Sequence, residues 1–197
     1  MGYYYLASQL PYLVYGQTPP MTSEAFRELA KSLLGARDAA LFDLVNLDPS
    51  PPEPGEDGFA YAKSAKPCGS DFIDNWREWE RVLRLNLAKH RAHKTGREGP
   101  PVEIPSEPLD AAATAAKAAS GTENPLDGEM LLDKARWSAI EEMQGVDIFD
   151  RKVIYAYLLK LMLLERRASF QAEKGFLEYK SLYASITDSN SPAGETK

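Results

Sequence analysis

A single cysteine, Cys68, leaves this chain of 197 residues with no possible internal disulfide and removes every zinc site built on several thiolates. Histidine is almost as scarce, with only His90 and His93. They lie one helical turn apart, and a shared metal would need further ligands from elsewhere. A solvated basic helix end beside Lys89, Arg91 and Lys94 is therefore the simpler reading. Long apolar runs are missing too: the longest, Val153 to Leu164, is interrupted by Lys160 and falls well short of the roughly 20 residues that cross a bilayer. The N-terminus, Met1-Gly-Tyr-Tyr-Tyr-Leu-Ala-Ser-Gln-Leu-Pro11, lacks the basic start and aliphatic core of a secretory signal, so a cytoplasmic location is expected. Leu6 also stands where N-myristoylation favours Ser or Thr. Nor is positive charge in excess. A net charge of −6 and a pI near 5.1 disfavour an extended nucleic-acid surface, which needs Lys and Arg beyond their local acids.

Catalytic signatures are absent as well. A phosphate-cradling loop needs glycines ahead of a Lys-Ser or Lys-Thr pair that opens a helix, and the nearest candidate, Lys94-Thr95-Gly96-Arg97, has the wrong order. No dinucleotide-type glycine fingerprint and no Gly-x-Ser-x-Gly elbow occurs. The acidic clusters Glu141-Glu142 and Asp147 with Asp150 fall near expected helix ends, where capping and solubility explain them. The expectation is a protein that is not an enzyme, with no catalytic residue, cofactor, metal or small-molecule substrate.

What the chain does contain is helix after helix. Residues 3–15 mix aromatic and aliphatic side chains, and a short strand, an irregular arm or a helix all fit them. Thr22 or Ser23 can cap a helix whose Phe26, Leu29, Ala30, Leu33 and Leu34 share a face, with Gly35 as its stop. A second helix from about Arg37 to Asn46, with Leu41, Leu44 and Val45 apolar, would make an antiparallel hairpin with it, because the connection is so short. Ser70 can open a third helix with Phe72, Trp76, Trp79, Val82, Leu83 and Leu87 on one side and arginines on the other. Asn124-Pro125 is the clearest start signal, an N-cap followed by proline at the first helical position. Leu126, Met130, Trp137 and Ile140 are the expected buried face of that helix and Gly145 its stop. Asp150 can cap the last long helix, expected to reach about Glu173, with a further piece from Phe176 to Ile186. The predicted fold is all-α: an irregular bundle of antiparallel helix pairs with a short extended or helical N-terminal arm. It forms a single domain over residues 1–187, with flexible segments at 48–68 and 95–121 and a disordered tail at 188–197. The alanine-rich stretch from Leu109 to Ala119 is helix-competent but too short to hold without a partner surface.

Two stretches invite a functional reading. The third helix interleaves Trp76 and Trp79 with Arg77, Arg81 and Arg84, a pattern that could stack bases and hold phosphates, although one apolar face with a wet basic side explains it more economically. The last helix is apolar almost all round, which makes it either central to a bundle or covered by a partner. Its stripe of Leu158 and Leu161 continues into Glu165-Arg166-Arg167. Glu165 either emerges into solvent there or belongs to a charged docking site, since arginine and apolar anchors are enriched at interface hot spots.

Several short motifs carry a resemblance. Tyr3-Tyr-Tyr-Leu-Ala-Ser-Gln-Leu-Pro11, Glu123-Asn-Pro-Leu126, and Phe149-Asp150 followed by Ala156-Tyr-Leu-Leu-Lys-Leu161 and Leu164-Glu-Arg166 resemble a bacterial family of unknown function whose genes lie inside V/A-type ATPase clusters. The C-terminal part also resembles the closing region of the V/A-type ATPase C/d subunit, where an apolar Tyr-Leu-Leu helix leads into Glu and then Asn-Leu-Arg. Glu165 matches the acid, whereas Arg167 and Ala168 depart from the Asn-Leu pattern. The C/d subunit is much longer, a helical funnel between the central axle and the membrane rotor ring. The resemblance implies a non-catalytic helical adaptor of the central stalk. Other V/A-type ATPase subunits would be its partners, it would lie at the membrane only through that complex, and it would bind through Tyr157, Leu161, Glu165, Arg166 and Arg167. An assembly factor or free scaffold is the alternative, and a nucleic-acid-binding module using Arg77, Arg81 and Arg84 a weaker one.

Overall fold

The apolar run between Val153 and Leu164 becomes the central helix. A computed structural model of the chain describes residues 2–48, 66–100, 102–105, 110–148, 150–170, 180 and 182. Among the described residues the helices, in chain order, are α1 Gly2–Gln9, α2 Ser23–Leu33, α3 Ala36–Asp43, α4 Asp71–Thr95, α5 Asp110–Gly121, α6 Pro125–Gln144 and α7 Lys152–Ser169. The architecture is all-α, and the described residues contain no strand. Two compact units divide the chain, Met1–Arg167 and Ala168–Lys197. The first holds the helices up to the last turn of α7; of the second, the end of α7, Phe170, Lys180 and Leu182 are described. Of the flexible segment expected at 48–68, residues 49–65 lie outside the described residues, as do the tail at 188–197 and all but Lys180 and Leu182 of the Phe176–Ile186 piece.

Local chemistry sets the helix ends. Thr22 caps α2, its hydroxyl accepting from the Ala25 amide, but the helix ends at Leu33, so Gly35 serves as the N-cap of α3 and not as a stop. Asn124 accepts from the Leu126 amide ahead of Pro125. Gly96, at φ +64°, closes α4 in the left-handed conformation that glycine adopts without strain. Asp150 accepts from the Lys152 amide at 3.0 Å and so holds the start of α7.

The helices α2 and α3, expected as an antiparallel hairpin, are held together at several points. Phe26 meets Phe42 edge to face, Lys31 pairs with Asp43, and Arg27 donates to the Phe42 and Val45 carbonyls at the end of α3. Their buried residues differ from the expected face: Phe26, Ala30, Phe42 and Val45 are buried, while Leu29 and Leu44 are exposed. Segment 95–121, expected to be flexible, carries α5. Alanines let this helix lie close to both α4 and α6; Ala112 and Ala116 are fully buried, and the Lys94 ammonium donates to the Ser120 carbonyl. The partner surface that a short alanine helix requires is thus supplied within the chain.

On α6 the buried face is rotated from the expected one. Met130 is 37% exposed, and the covered positions are Gly128, Leu132, Asp133, Arg136, Trp137, Ala139 and Ile140. Two causes act. A Cβ at Gly128 would lie 2.9 Å from the Thr122 hydroxyl and 3.2 Å from the Ala119 carbonyl, so only glycine permits the α5–α6 approach. The second cause is a buried ion cluster. The Arg136 guanidinium donates to both carboxylate oxygens of Glu80 on α4, at 3.0 and 2.9 Å, and to Asp133 at 2.9 Å. Burial opposes that positive charge, but the two carboxylates more than offset it, so Arg136 stands above the ordinary arginine pKa. Asp133 moves up, because its burial outweighs Arg166 and Arg136.

Candidate functional site

Nine of the 18 residues of α7 are buried, including the consecutive run Ile154 to Leu159, so neighbours enclose this helix from within the chain. Leu161 is fully buried and Tyr157 is 7% exposed, its ring 4.8 Å from that of Phe26. Expected as partner-binding residues, both are core residues: the all-round apolar pattern is satisfied internally. Burial pushes the Tyr157 phenol up to about 12, and its hydroxyl is enclosed without a hydrogen-bond partner.

The charge cluster at the end of α7 is likewise turned inward. Glu165 receives the Ser23 amide on one oxygen at 2.7 Å and the Ser23 hydroxyl on the other at 2.5 Å, which places its carboxylate at the positive end of α2. Arg166 pairs with Glu129 at 2.6 Å and approaches Asp133 at 3.8 Å, joining α7 to α6 and to the buried cluster. The Arg167 guanidinium lies over the Tyr15 ring at 4.9 Å. Tyr15 in turn donates to the Met130 carbonyl at 3.2 Å and meets Trp137 edge to face. Three consecutive side chains therefore fasten three different segments: the start of α2, the face of α6 and the arm after α1. They hold register within the chain, and the docking role expected of them does not follow from their placement.

The exposed apolar surface lies elsewhere. Tyr12 is 88% exposed, Val146 fully and Ile148 62%. Tyr12 and Ile148 border a groove of about 370 Å³ along α7, lined by Ala7, Leu10, Pro11 and Tyr12, by Gln144 and Ile148, and by Val153, Tyr157 and Lys160 of α7. Lys160 is the one cation among the described residues that line it. Its ammonium reaches Glu141 at 3.3 Å and Gln144 at 3.2 Å and lies 5.2 Å over the Trp137 ring. Burial pulls Lys160 below the ordinary lysine value despite Glu141. The groove is thus mainly apolar, and the ammonium on its wall is already held by Glu141 and Gln144.

A protein-family model covers part of this region. Residues 115–189 match "Protein of unknown function (DUF2764)". The match takes in the end of α5 and the whole of α6 and α7, fewer than half of the residues, and makes this part of the chain similar to an uncharacterised family. No curated protein and no solved structure matches.

The tryptophans of α4 are core. Trp76 and Trp79 are 2% and 4% exposed and stacked on each other, with the Trp76 indole donating to the Asn46 carbonyl, so they offer no platform for bases. Arg81 pairs with Glu78, and Arg84 with Glu80 and Asp48. Among the described residues no group of three or more His, Cys, Asp or Glu side chains could hold a metal ion, and no helix is long and apolar enough to cross a membrane. Sequence reasoning missed the Glu80–Arg136 pair and the groove. Glu80 does carry a signal, since it shares the helical face of Trp76, Leu83 and Leu87. The groove joins residues roughly 150 positions apart and leaves no local trace.

Proposed function

We propose that this chain is a non-catalytic helical adaptor of a V/A-type ATPase, resembling part of its central-stalk C/d subunit, and that it docks other subunits through the groove along α7. The observation that carries the proposal is where the resembling motifs meet. The Tyr3–Pro11 segment supplies one wall of the groove through Ala7, Leu10 and Pro11, and the Ala156–Leu161 segment supplies Tyr157 and Lys160. An exposed apolar patch rimmed by polar groups is the usual mark of an interaction surface, and Tyr12 and Ile148 are suited to anchor it. In this reading α7 is the rigid spine, the Glu165–Arg167 cluster fixes the arm that forms the groove wall, and the partner contributes an apolar segment.

Affinity purification of the native ATPase tests the proposal. The chain should copurify in defined stoichiometry, and the surface substitutions Tyr12→Asp and Ile148→Asp should abolish copurification while leaving thermal stability unchanged. Absence of the chain from an intact, fully subunit-resolved ATPase would overturn the stable-subunit form. Its presence only on incomplete complexes would identify an assembly factor acting through the same groove.

A further inference from the structure

We propose that the C-terminal end of α4 is a second interaction surface, a basic tip that rests on an anionic lipid bilayer. The last buried residue of α4 is Leu87, and from Lys89 to Thr95 none is buried. Residues 89–97 carry Lys89, Arg91, Lys94 and Arg97 and no acidic residue, in a chain whose net charge is −6. All four side chains are exposed. The tip is fixed as well as charged. Gly96 turns the chain at the helix end, and the Arg97 amide donates to the Ala92 carbonyl at 2.9 Å, so Arg97 stays with the other three. A Cβ at Gly99 would lie 3.9 Å from the Lys89 Cα, so the chain beyond Gly96 comes back along the same turns.

These cations are the ones the chain itself leaves unused. Arg81 and Arg84 on the same helix, and Arg136, Arg151 and Arg166 elsewhere, each pair with a carboxylate. Lys89, Arg91 and Arg97 have no ion pair among the described residues, and Lys94 donates to the Ser120 carbonyl. Glu129 shares a shallow cleft with Arg91 and Lys94, but Arg166 holds its carboxylate at 2.6 Å. Glu98, the next acid along the chain, is exposed and pairs with none of the four. The helix dipole favours cations in the last turn, which accounts for Lys94 but not for Lys89 further back or Arg97 beyond the helix.

The residue types select the partner. Residues 89–97 include no apolar side chain larger than alanine and no Phe, Tyr or Trp. A protein interface draws its affinity from buried aromatic and apolar anchors, and exposed ion pairs alone add little. Single-stranded nucleic acid calls for stacking rings. An anionic bilayer needs neither, because each Lys or Arg in a cluster of four or more strengthens binding about fivefold through the surface potential. Acids on the rest of the chain are largely screened once they stand more than about 10 Å from the headgroups.

Co-sedimentation of the full chain with vesicles of equimolar phosphatidylcholine and phosphatidylglycerol tests the tip against vesicles of phosphatidylcholine alone. Binding to the anionic vesicles only is expected, and it should weaken as salt is raised. Arg91→Gln should weaken it about fivefold and Arg91→Gln with Arg97→Gln about 25-fold, both at an unchanged thermal midpoint, because neither side chain is buried or paired. Arg37→Gln removes an exposed cation that lines a pocket with Asp71, at the other end of α4, and should leave binding within about twofold. Equal binding to neutral vesicles, no binding at low salt, or equal effects of Arg37→Gln and Arg91→Gln would overturn the proposal. So would retention on polyglutamate or on duplex DNA without binding to vesicles, which would transfer the tip to an acidic protein segment or to nucleic acid. Copurification with the ATPase reads the groove, which shares no residue with the tip, so the two proposals fail separately.

Discussion

Removing the Glu165 carboxylate is expected to loosen the fold before it touches any partner. The carboxylate accepts the Ser23 amide and hydroxyl at 2.7 and 2.5 Å, on the first residue of α2. Each hydrogen bond to a charged acceptor contributes about 1.5–3 kcal/mol, and a carboxylate at a helix N-terminus about 0.3–1 more. Because Glu165 is only half-buried, water recovers part of this, and Glu165→Ala should cost about 2–4 kcal/mol. Glu165→Gln keeps an acceptor oxygen and should cost less than half as much. Glu165→Lys should exceed alanine, since it sets an ammonium against the positive end of α2. Urea denaturation gives each value, and repeating the alanine change in a Ser23→Ala background should reveal coupling, because the hydroxyl bond has then already been lost. Variants at 165 within about 0.5 kcal/mol of wild type would refute the reasoning and return Glu165 to solvent and to a partner. Charge reversal at Glu165 or Arg166 is accordingly a poor probe of docking, as both hold the chain together.

Other perturbations follow from the same structure. Arg136→Met should cost about 3–5 kcal/mol in chemical denaturation by leaving Glu80 and Asp133 buried without their shared guanidinium, and a loss below about 1 kcal/mol would show that Arg84 and Arg166 suffice. Gly128→Ala should lower stability by about 1–3 kcal/mol despite the better helix propensity of alanine, because the added Cβ meets the Ala119 carbonyl; an unchanged midpoint would mean that α5 can move aside. Tyr157, held near 12 by burial against an ordinary value near 10, should be among the late phenols in an ultraviolet pH titration, with buried Tyr155 also raised, and its share of the late absorbance should be lost in Tyr157→Phe. The raised value makes its contribution to stability fully present below about pH 10 and progressively lost as the pH rises through about 12, which denaturation at successive pH values would follow.

Helix positions were legible because their signals are local. Thr22, Asn124-Pro125 and Gly145 act through groups within a few residues, and the structure uses each as its chemistry suggests. Which face each helix buries was less legible. Leu29, Leu44 and Met130 fit an apolar periodicity yet are exposed, whereas Arg136 and Asp133 break it and are covered. The reason is pairwise: Arg136 can be buried only because Glu80, 56 residues earlier, meets it from α4. The direction of the α7 charge cluster was illegible for the same reason, since nothing near Ser23 or Tyr15 marks either as the partner of a residue more than 140 positions away. The groove is further removed from the linear chain, being a product of three segments at once.

The charge cluster and the groove are not independent. Arg167 holds the Tyr15 ring, Tyr15 meets Trp137, and the Trp137 ring in turn carries Lys160, the cation of the groove. Leu13, two residues before Tyr15, is buried, so the arm that bears Tyr12 is pinned on both sides of that exposed tyrosine by Leu10 and Leu13 against the core. A partner that docks on Tyr12 and Ile148 thus meets a wall whose position depends on Arg167, although it never touches Arg167. The two kinds of substitution should separate cleanly. Tyr12→Asp should reduce docking at unchanged stability, because its side chain is in solvent. Arg167→Ala should reduce docking only together with a fall in stability, because what it removes is the cation over Tyr15 that positions the arm. Loss of docking in Arg167→Ala with stability intact would instead make Arg167 part of the interface and extend that interface from the groove to the end of α7.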